Sequence, residues 1–178
     1  RFGIMPSFMA KWNQHFPGCS GHVHQSLSDG KRNVFHDPKG RAGMSKLFES
    51  YLAGQVDALM QFAPMYWPTV NSYKRLVDGF WAPVKPTWGI DNRTASFRVI
   101  PGSAKSTRLE TRCPGADVNP YLALAACIAA GMHGIEKNLK LKAPPVEGTN
   151  KGGENVPRAP RSLAETTKIF RGSDVARD

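Results

Sequence analysis

Two histidines, His22 and His24, stand two positions apart in the run GHVHQSL at residues 21–27. Polar and apolar residues alternate through this run, and such alternation predicts a β-strand in which every second side chain shares a face. His22, His24 and Ser26 would then project from the same face. Two imidazoles on one face suit a metal ion or a phosphate group, although the spacing equally fits a hydrogen-bonded surface pair.

A second alternating run, RLETR, places Arg108, Glu110 and Arg112 on one strand face and the intervening residues on the other. A carboxylate between two guanidinium groups stays ionised because both positive charges favour the anion. An ionised carboxylate is a hard oxygen ligand of the kind that Mg²⁺ and Mn²⁺ bind. The competing interpretation is a salt-bridged, exposed strand that binds nothing.

Three further arginines, Arg75, Arg93 and Arg98, precede this run. Guanidinium groups bind phosphate oxygens in a bidentate manner, so a site that gathers them with Arg108 and Arg112 would suit a polyphosphate during phosphoryl transfer. Solvated basic surface is the alternative. Because the arginines are embedded in apolar segments and no RNP, KH or zinc-finger pattern is present, we expect no nucleic acid partner. P-loop and Rossmann glycine patterns are absent, so a nucleotide would need another architecture.

The elements that would position these residues are strands and helices without a regular βαβ rhythm, which predicts an α+β fold with an antiparallel sheet and flanking helices. Apolar residues recur every three or four positions over residues 44–62, as in an amphipathic helix that lies on a sheet. Residues 119–135 begin with Asn-Pro and continue as an Ala-rich run, which predicts a buried helix. Residues 140–161 are rich in Pro and Gly and predict a surface loop, and Ser162 with Glu165 predicts a capping box.

Composition and charge restrict the class of protein. The 178 residues are 40% hydrophobic, and 24 Lys and Arg oppose 14 Asp and Glu, which gives a net charge of +10. The apolar content supports a globular core, and the positive excess favours an anionic ligand. The three cysteines form no CxxC pair, and there is neither a signal peptide nor an apolar run of about 18 residues, so we expect a soluble, cytoplasmic protein without membrane contact. The absent initiator Met and the abrupt end predict a fragment of a longer chain.

Five segments, in order, resemble motifs of the glutamine synthetase family. They are FMAK, GCSGHVHQSL, NSYKRL, WGIDNRTASFRV and RLETRCPGADVNPYLALAACIAAGMHGI, which together cover most of residues 8–139. The resemblance implies the family's half-barrel of antiparallel strands with flanking helices. It also implies that residues 1–178 are part of the catalytic domain, truncated at both ends, with residues 140–161 as a surface loop within it.

The resemblance implies an ATP-dependent ligase of nitrogen metabolism that makes γ-glutamyl phosphate from glutamate and ATP and then lets ammonia or an organic amine displace the phosphate. ATP and Mg²⁺ or Mn²⁺ are the implied cofactors, with His22 and Glu110 as metal ligands. Arg93 and Arg98 would steady the phosphoryl group in transfer, a step in which positioning and charge neutralisation supply most of the acceleration.

The other implied roles divide between glutamate and the nucleotide. On the glutamate side, Gly18 would belong to the contacting loop, Arg75 would bind one carboxylate and Arg112 the other. The residues implied beside ATP are His24, Ser26, Lys105 and Arg108. Members of this family assemble as ring oligomers with active sites between subunits, so the resemblance implies a homo-oligomer.

The chain departs from the family pattern at positions 78 and 81. Asp78 replaces the usual proline, and Trp81 replaces a glutamate that, in the family's glutamine makers, is thought to shield the acyl phosphate and take a proton from ammonium. An indole ring cannot accept that proton. We therefore hypothesise a side branch that uses a larger amine and forms a γ-glutamylamide. Pro17 and Gly21 also differ from the usual Asn and Met beside glutamate.

The sequence lacks the carboxylates of a complete metal site. It has no ExE pair, and a divalent ion needs more oxygen ligands than one carboxylate and one histidine supply. We expect the 178 residues alone to be inactive. Two alternatives stay open: a non-catalytic pseudoenzyme or structural relative that keeps the fold, and a cupin-like metal oxygenase that uses His22, His24 and Glu110.

Overall fold

Four short strands form one sheet, and five helices surround it, in the computed structural model, which describes residues 1–149 and 153–177. The strands are β1 (Val23–Gln25), β2 (Trp88–Ile90), β3 (Phe97–Ile100) and β4 (Arg108–Thr111). The helices are α1 (Lys46–Ala58), α2 (Ala63–Tyr66), α3 (Val70–Arg75), α4 (Pro120–Glu136) and α5 (Leu163–Arg171), with a 3₁₀ turn at Arg41–Gly43. The α+β class predicted from the sequence is confirmed.

The sheet has the strand order β1-β4-β3-β2, so β4 is an inner strand with a neighbour on each side. β4 is antiparallel to both β1 and β3, as the sequence predicts, whereas β2 runs parallel to β3. A parallel connection this short is possible because strands of three or four residues are only about 10 Å long. The sheet is therefore mixed, with an antiparallel centre.

α1 and α4 cover one face of the sheet and approach each other closely where both carry glycine. A Cβ atom at Gly54 would lie 2.1 Å from the Ala130 carbonyl oxygen and 2.7 Å from Cα of Gly134. These distances leave no room for a side chain, so glycine is required for the helices to pack at this separation. The core that they form with the sheet includes Phe48 and Leu109, both fully buried.

Several helix boundaries differ from the sequence predictions. Ser45 caps α1 by accepting a hydrogen bond from the Phe48 amide, but the helix ends at Ala58 instead of continuing to residue 62. Pro64 lies in the first turn of α2, where its missing amide proton costs nothing. The Ser162 side chain accepts from the Glu165 amide, which is one half of the predicted capping box, but the Glu165 carboxylate accepts from the Arg161 amide and not from that of Ser162.

α4 is buried on one face only, which corrects the expectation of a buried helix. Asn119 caps it as predicted, with its side chain accepting from the Tyr121 amide. Tyr121 is 83% exposed and Ile128 is 54% exposed. The outer face of α4 is thus apolar as well as the inner face, which is why the sequence pattern could not tell them apart. Among the described helices, none is long and apolar enough to cross a membrane.

The predicted loop at residues 140–161 contains no helix or strand in its described part, and residues 150–152 lie outside the described residues. Backbone hydrogen bonds hold it against the rest of the chain: the Val146 amide donates to the Trp88 carbonyl at 2.8 Å and the Ala159 amide to the Val84 carbonyl at 2.7 Å. The loop therefore runs beside β2.

Candidate functional site

Glu110 is the centre of a cluster of charged and imidazole side chains on the sheet face away from α1 and α4. It lies on the inner strand β4, directly across from His24 on β1 and Arg98 on β3. Arg98 donates a hydrogen bond to Glu110 Oε2 at 2.9 Å, and His24 Nε2 lies 3.7 Å from Oε1. The strand register thus brings together three residues that are far apart in the sequence.

Two residues beside the strand ends complete the Glu110 cluster, which comprises Glu110, His22, His24, Arg98 and Arg112. Arg112 donates to Glu110 Oε1 at 2.8 Å, and His22 Nδ1 lies 2.9 Å from the same oxygen. Arg112 is only 7% exposed, and its Nε has no hydrogen-bond partner within the described structure. A buried guanidinium donor without a partner is available to an incoming acceptor such as a carboxylate or phosphate oxygen.

The cluster keeps the Glu110 carboxylate ionised. Burial would raise its pKa, but the hydrogen bond from Arg98 and the charge of Arg112 outweigh burial, and the pKa is lowered. Burial and the charge on Arg112 lower the pKa of His22, which favours a neutral imidazole. A neutral imidazole beside an ionised carboxylate is the form in which both groups can bind a cation.

Arg75 lies at the end of α3 and is almost completely buried. Its guanidinium donates to the Cys113 carbonyl at 2.9 Å and to the Ser20 hydroxyl at 2.8 Å, while burial lowers its pKa. Gly18 packs against it: a Cβ atom there would lie 2.9 Å from the Arg75 Cγ and 2.2 Å from the Ala10 carbonyl oxygen. The two candidate glutamate-side residues are therefore neighbours, and only glycine fits at position 18.

Asp91 is a residue of the candidate site that the sequence analysis missed. It follows β2 in a left-handed conformation, with φ of 49°, and accepts hydrogen bonds from both Nε and NH2 of Arg98. Those bonds lower the pKa of Asp91 and fix the plane of the guanidinium. Its position in the tight turn before Asn92 is the one local feature from which the sequence could have identified it, because the pairing with Arg98 depends on the β2-β3 register.

Arg93 lies in the same turn, outside the Glu110 cluster. It lines a surface cavity of about 550 Å³, whose other walls include Trp81, Asp91 and residues 145–149. Trp81 is 68% exposed and has a left-handed backbone with φ of 62°. The charge of Arg93 is close enough to contribute to the lowered pKa values of Asp91 and Arg112. The cavity therefore adjoins the cluster.

The candidate nucleotide-side residues are more dispersed. Arg108 donates from Nε to His24 Nδ1 at 3.2 Å, which links it to the cluster through an imidazole. Ser26 lies just beyond β1 and is exposed, on the face predicted from the alternation. Lys105 is exposed in the turn between β3 and β4. Among the described contacts, neither Ser26 nor Lys105 reaches Glu110.

A buried polar network on the opposite sheet face fixes β4 in place, and the sequence analysis did not identify it. Thr111 donates to Gln55 Oε1 at 2.7 Å and accepts from Gln25 Nε2 at 2.9 Å. Tyr51 donates to Gln25 Oε1 at 2.6 Å, and Gln55 Nε2 donates to the Cys127 carbonyl at 3.0 Å. Because the network joins β1 and β4 to α1 and α4, it holds the strand that carries Glu110 rigidly.

The cluster supplies part of a divalent metal site. His22 Nδ1 and Glu110 Oε1 are 2.9 Å apart, close to the separation of about 3 Å that two adjacent ligands adopt around one ion with bonds near 2.1 Å. The carboxylate oxygen suits Mg²⁺ or Mn²⁺, whereas imidazole nitrogen is more common as a ligand of transition metals. Within residues 1–149 and 153–177, no group of three or more His, Cys, Asp or Glu side chains is arranged to hold a metal ion. The pair therefore fits as two ligands of a larger set.

Comparison with known proteins gives consistent matches over the whole chain. The family model for the glutamine synthetase catalytic domain matches residues 1–178. A type-1 glutamine synthetase 2 of Dictyostelium discoideum is 50% identical, covering 99% of this chain and 34% of that protein. A glutamate–isopropylamine ligase of a Pseudomonas species is 41% identical, covering 99% of this chain and 39% of that protein. The chain thus spans somewhat more than a third of the length of these relatives.

A solved structure supports the fold. A structure of a GmaS complex with ADP matches with a TM-score of 0.84 and 31% sequence identity, over 96% of this chain and 40% of that chain. The mixed sheet and its flanking helices therefore correspond to an arrangement that has already been observed in a longer protein.

Proposed function

Because the chain belongs to the glutamine synthetase family, we propose that the complete protein is an ATP-dependent ligase that joins the γ-carboxylate of glutamate to an amine through γ-glutamyl phosphate. The first step would transfer the terminal phosphoryl group of ATP to the γ-carboxylate, releasing ADP. In the second step the amine nitrogen would attack the acyl carbon, phosphate would leave, and the nitrogen would lose a proton.

The observation that carries the proposal is the convergence of Arg98, Arg112 and two imidazoles on one ionised carboxylate. Phosphoryl transfer needs cationic groups held at fixed positions, since charge on the phosphoryl oxygens must be neutralised while the group moves. Arg98 meets that need because Asp91 and Glu110 orient its guanidinium from two sides. Arg93, in the adjoining turn, would approach the same group from the cavity side.

His22 and Glu110 would hold the divalent metal ion, Mg²⁺ or Mn²⁺, together with ligands from elsewhere in the complete protein. When bound, such an ion neutralises and aligns the phosphate oxygens. His24, Ser26, Lys105 and Arg108 would face the nucleotide. The hydrogen bond from Arg108 occupies Nδ1 of His24, and Nε2 of His24 lies on the side of Glu110. These two contacts would fix the orientation of the His24 ring beside the nucleotide.

Glutamate would lie between Arg112 and the segment around Gly18. The buried Nε of Arg112 has no acceptor among the described residues, and a substrate carboxylate would supply one. Arg75 donates hydrogen bonds to Cys113 and Ser20. It would therefore contribute its charge and its remaining donors to the second carboxylate of glutamate. Its burial beside Gly18 would place that charge at the floor of the site.

We propose an organic amine as the acceptor in place of ammonia. Trp81 offers an exposed apolar ring at the wall of the cavity that also contains Arg93. An alkyl group would contact this ring, and water would be displaced from both surfaces. The relative from Pseudomonas is a glutamate–isopropylamine ligase, which supports a small alkylamine as the acceptor.

The experiment uses the complete protein with ATP, glutamate and Mg²⁺ or Mn²⁺, and offers ammonium, isopropylamine and ethanolamine in turn. Phosphate release and mass spectrometry of the product measure the reaction. We expect a γ-glutamylamide with at least one organic amine at a higher kcat/KM than with ammonium. Ammonium as the clearly preferred acceptor would reject the amine proposal while leaving the ligase proposal intact. Absence of turnover with every acceptor, in a protein that still binds ATP, would favour a pseudoenzyme.

The assembly and setting of the complete protein belong to the same proposal. We propose a homo-oligomeric ring in the cytoplasm. All three cysteines are free, which supports a reducing compartment. We further propose that the 178 residues alone are inactive, since the described residues supply only two neighbouring metal ligands. Turnover by the purified 178-residue chain with Mg²⁺ and ATP would contradict this.

A further inference from the structure

Lys11 is a buried lysine to which the proposed reaction gives no role. It precedes β1 and is only 5% exposed. Burial of a lysine is uncommon unless the ammonium has partners that replace water. The contacts of Lys11 therefore indicate what the residue does.

Lys11 contacts three separate parts of the chain. Its amide donates to Asn71 Oδ1 at 2.9 Å, and its carbonyl accepts from Asn71 Nδ2 at 2.8 Å, which fixes its backbone to α3. Its ammonium donates to the Phe16 carbonyl and lies 4.1 Å from the centre of the Phe80 ring. Phe16 belongs to the segment that leads to Gly18, and Phe80 precedes Trp81.

The Phe16 carbonyl and the Phe80 ring are the described counterparts of the Lys11 charge. Among the described residues, none of the ion pairs includes Lys11. A cation above an aromatic face is attracted by the negative face of the ring, and the attraction is stronger when water is excluded, as it is around a side chain this buried. Lys11 therefore holds Phe80 by electrostatic attraction and not only by packing.

The segment at residues 77–82 has few other ties. Gly79 and Trp81 both have left-handed backbones, with φ of 83° and 62°. For a bulky residue such as Trp81 this conformation is unfavourable and persists only when the surroundings hold it. Two turn-like backbone bonds lie at its start, from the Val77 amide to Arg75 and from the Phe80 amide to Val77. A long-range ion pair joins Asp78 to Arg158 at 3.4 Å, and the Lys11 contact to Phe80 is a second long-range tie, at the residue next to Trp81.

We propose that Lys11 is a positioning residue that holds the segment carrying Trp81 against the segment carrying Gly18. The Lys11 ammonium would then fix the cavity wall formed by Trp81, which is proposed to contact the amine, relative to the glutamate side of the site. The kinetic consequence rests on the proposed function, whereas the structural consequence does not.

The structural consequence is tested by limited chymotrypsin digestion of the complete protein, with cleavage after Phe80 and Trp81 followed by mass spectrometry. Loss of the tie in Lys11→Met should increase the cleavage rate at these two sites about tenfold, because cleavage follows the open fraction of the segment. Lys11→Arg keeps a cation over the ring and should digest like wild type. Lys39→Met, which removes an exposed lysine charge, is the matched control.

The kinetic consequence is tested with the same variants in the ligase assay. Lys11→Met should raise the KM for the amine about tenfold and leave the KM for ATP within about twofold, because the described contacts of the ammonium are to the segments of Trp81 and Gly18 and not to the candidate nucleotide-side residues. Phe80→Leu, which removes the ring but keeps an apolar side chain, should reproduce this pattern and serves if Lys11→Met does not fold. The double variant should be no worse than the more impaired single variant, since both remove one interaction.

The outcomes separate the two proposals. Faster cleavage in Lys11→Met with rescue in Lys11→Arg supports the tie even if the wild-type protein shows no ligase activity. Unchanged cleavage after Trp81 in both Lys11→Met and Phe80→Leu overturns it. A similar rise in the KM values for ATP, glutamate and amine in Lys11→Met would show a merely structural lysine and overturns the proposal. A failure of Lys11→Arg to restore the wild-type cleavage rate would do the same.

Discussion

Replacing Glu110 with glutamine should destabilise the complete protein and make its free energy of unfolding less dependent on pH in the acidic range. The Glu110 carboxylate accepts hydrogen bonds from Arg98 and Arg112 at 2.9 Å and 2.8 Å, and the three side chains are 4%, 14% and 8% exposed. Breaking a buried ion pair by removing one partner costs about 3–5 kcal/mol. Because the glutamine oxygen still accepts one bond and Arg98 reaches Asp91, we expect about 3 kcal/mol.

The pH dependence follows from the lowered pKa of Glu110. A carboxyl group whose pKa is lowered by folding stabilises the folded state above its ordinary value of 4.5, and this contribution is lost as the pH falls through the lowered value. The stability difference between wild type and Glu110→Gln should therefore be full at neutral pH and shrink below pH 4.5. Protonation makes the wild-type carboxyl resemble the amide of the variant.

Urea unfolding followed by circular dichroism at a fixed protein concentration measures this, since assembly contributes to stability in an oligomer. Glu49→Gln is the matched control. Glu49 also lies 2.9 Å from a cation, but that cation is Lys46, which is 87% exposed, so the control should cost less than about 1 kcal/mol. Equal stability of Glu110→Gln and wild type at pH 7, or a difference that persists unchanged at about pH 3.5, would refute the reasoning.

Three further predictions concern other residues. Trp81→Glu, which supplies a proton acceptor, should raise kcat/KM for ammonium relative to isopropylamine by about tenfold or more, as competition assays would show. Gly54→Ala should lose about 1–3 kcal/mol in urea unfolding because its Cβ would meet backbone atoms of α4, whereas Gly172→Ala, whose Cβ has ordinary 3.7 Å contacts, should change little. Iodoacetamide at pH 8 should label the exposed Cys19 and spare Cys113 until the protein unfolds, because burial raises the pKa of Cys113 to about 12; peptide mapping would check this.

The shared faces of the strands could be predicted from the sequence because period-two geometry is local. The alternation in RLETR placed Arg108, Glu110 and Arg112 on one side, and Leu109 and Thr111 are indeed fully buried on the other. Which strands become neighbours is not local information. From the residues alone, nothing linked Glu110 to Arg98 or His22; their order along the chain in a resemblance to a known family supplied that link.

Features that depend on register or on a second element could not be predicted from the sequence. Asp91 binds Arg98 across a parallel pairing of β2 and β3 that no periodicity indicates. The network of Gln25, Gln55 and Thr111 looks in sequence like ordinary polar positions, and its burial follows only from the packing of α1 and α4 on the sheet. α4 is apolar all round, so its exposed face could not be distinguished from its buried one.

The charge balance of the site also indicates that the arginines serve ligand binding and not the stability of the fold. Gathering guanidinium groups costs free energy unless counter-charges meet them. Among the described residues, Glu110 and Asp91 are the carboxylates that pair with Arg98 and Arg112, while Arg75 donates to two carbonyls and a hydroxyl. In a protein that only kept the fold, apolar replacements at these positions would be at least as stable. The arginines therefore point to an anionic ligand as the missing counter-charge, and ATP with its metal ion should raise the unfolding temperature of the complete protein. No stabilisation at saturating nucleotide would leave the cost of this cationic cluster unexplained by phosphate binding.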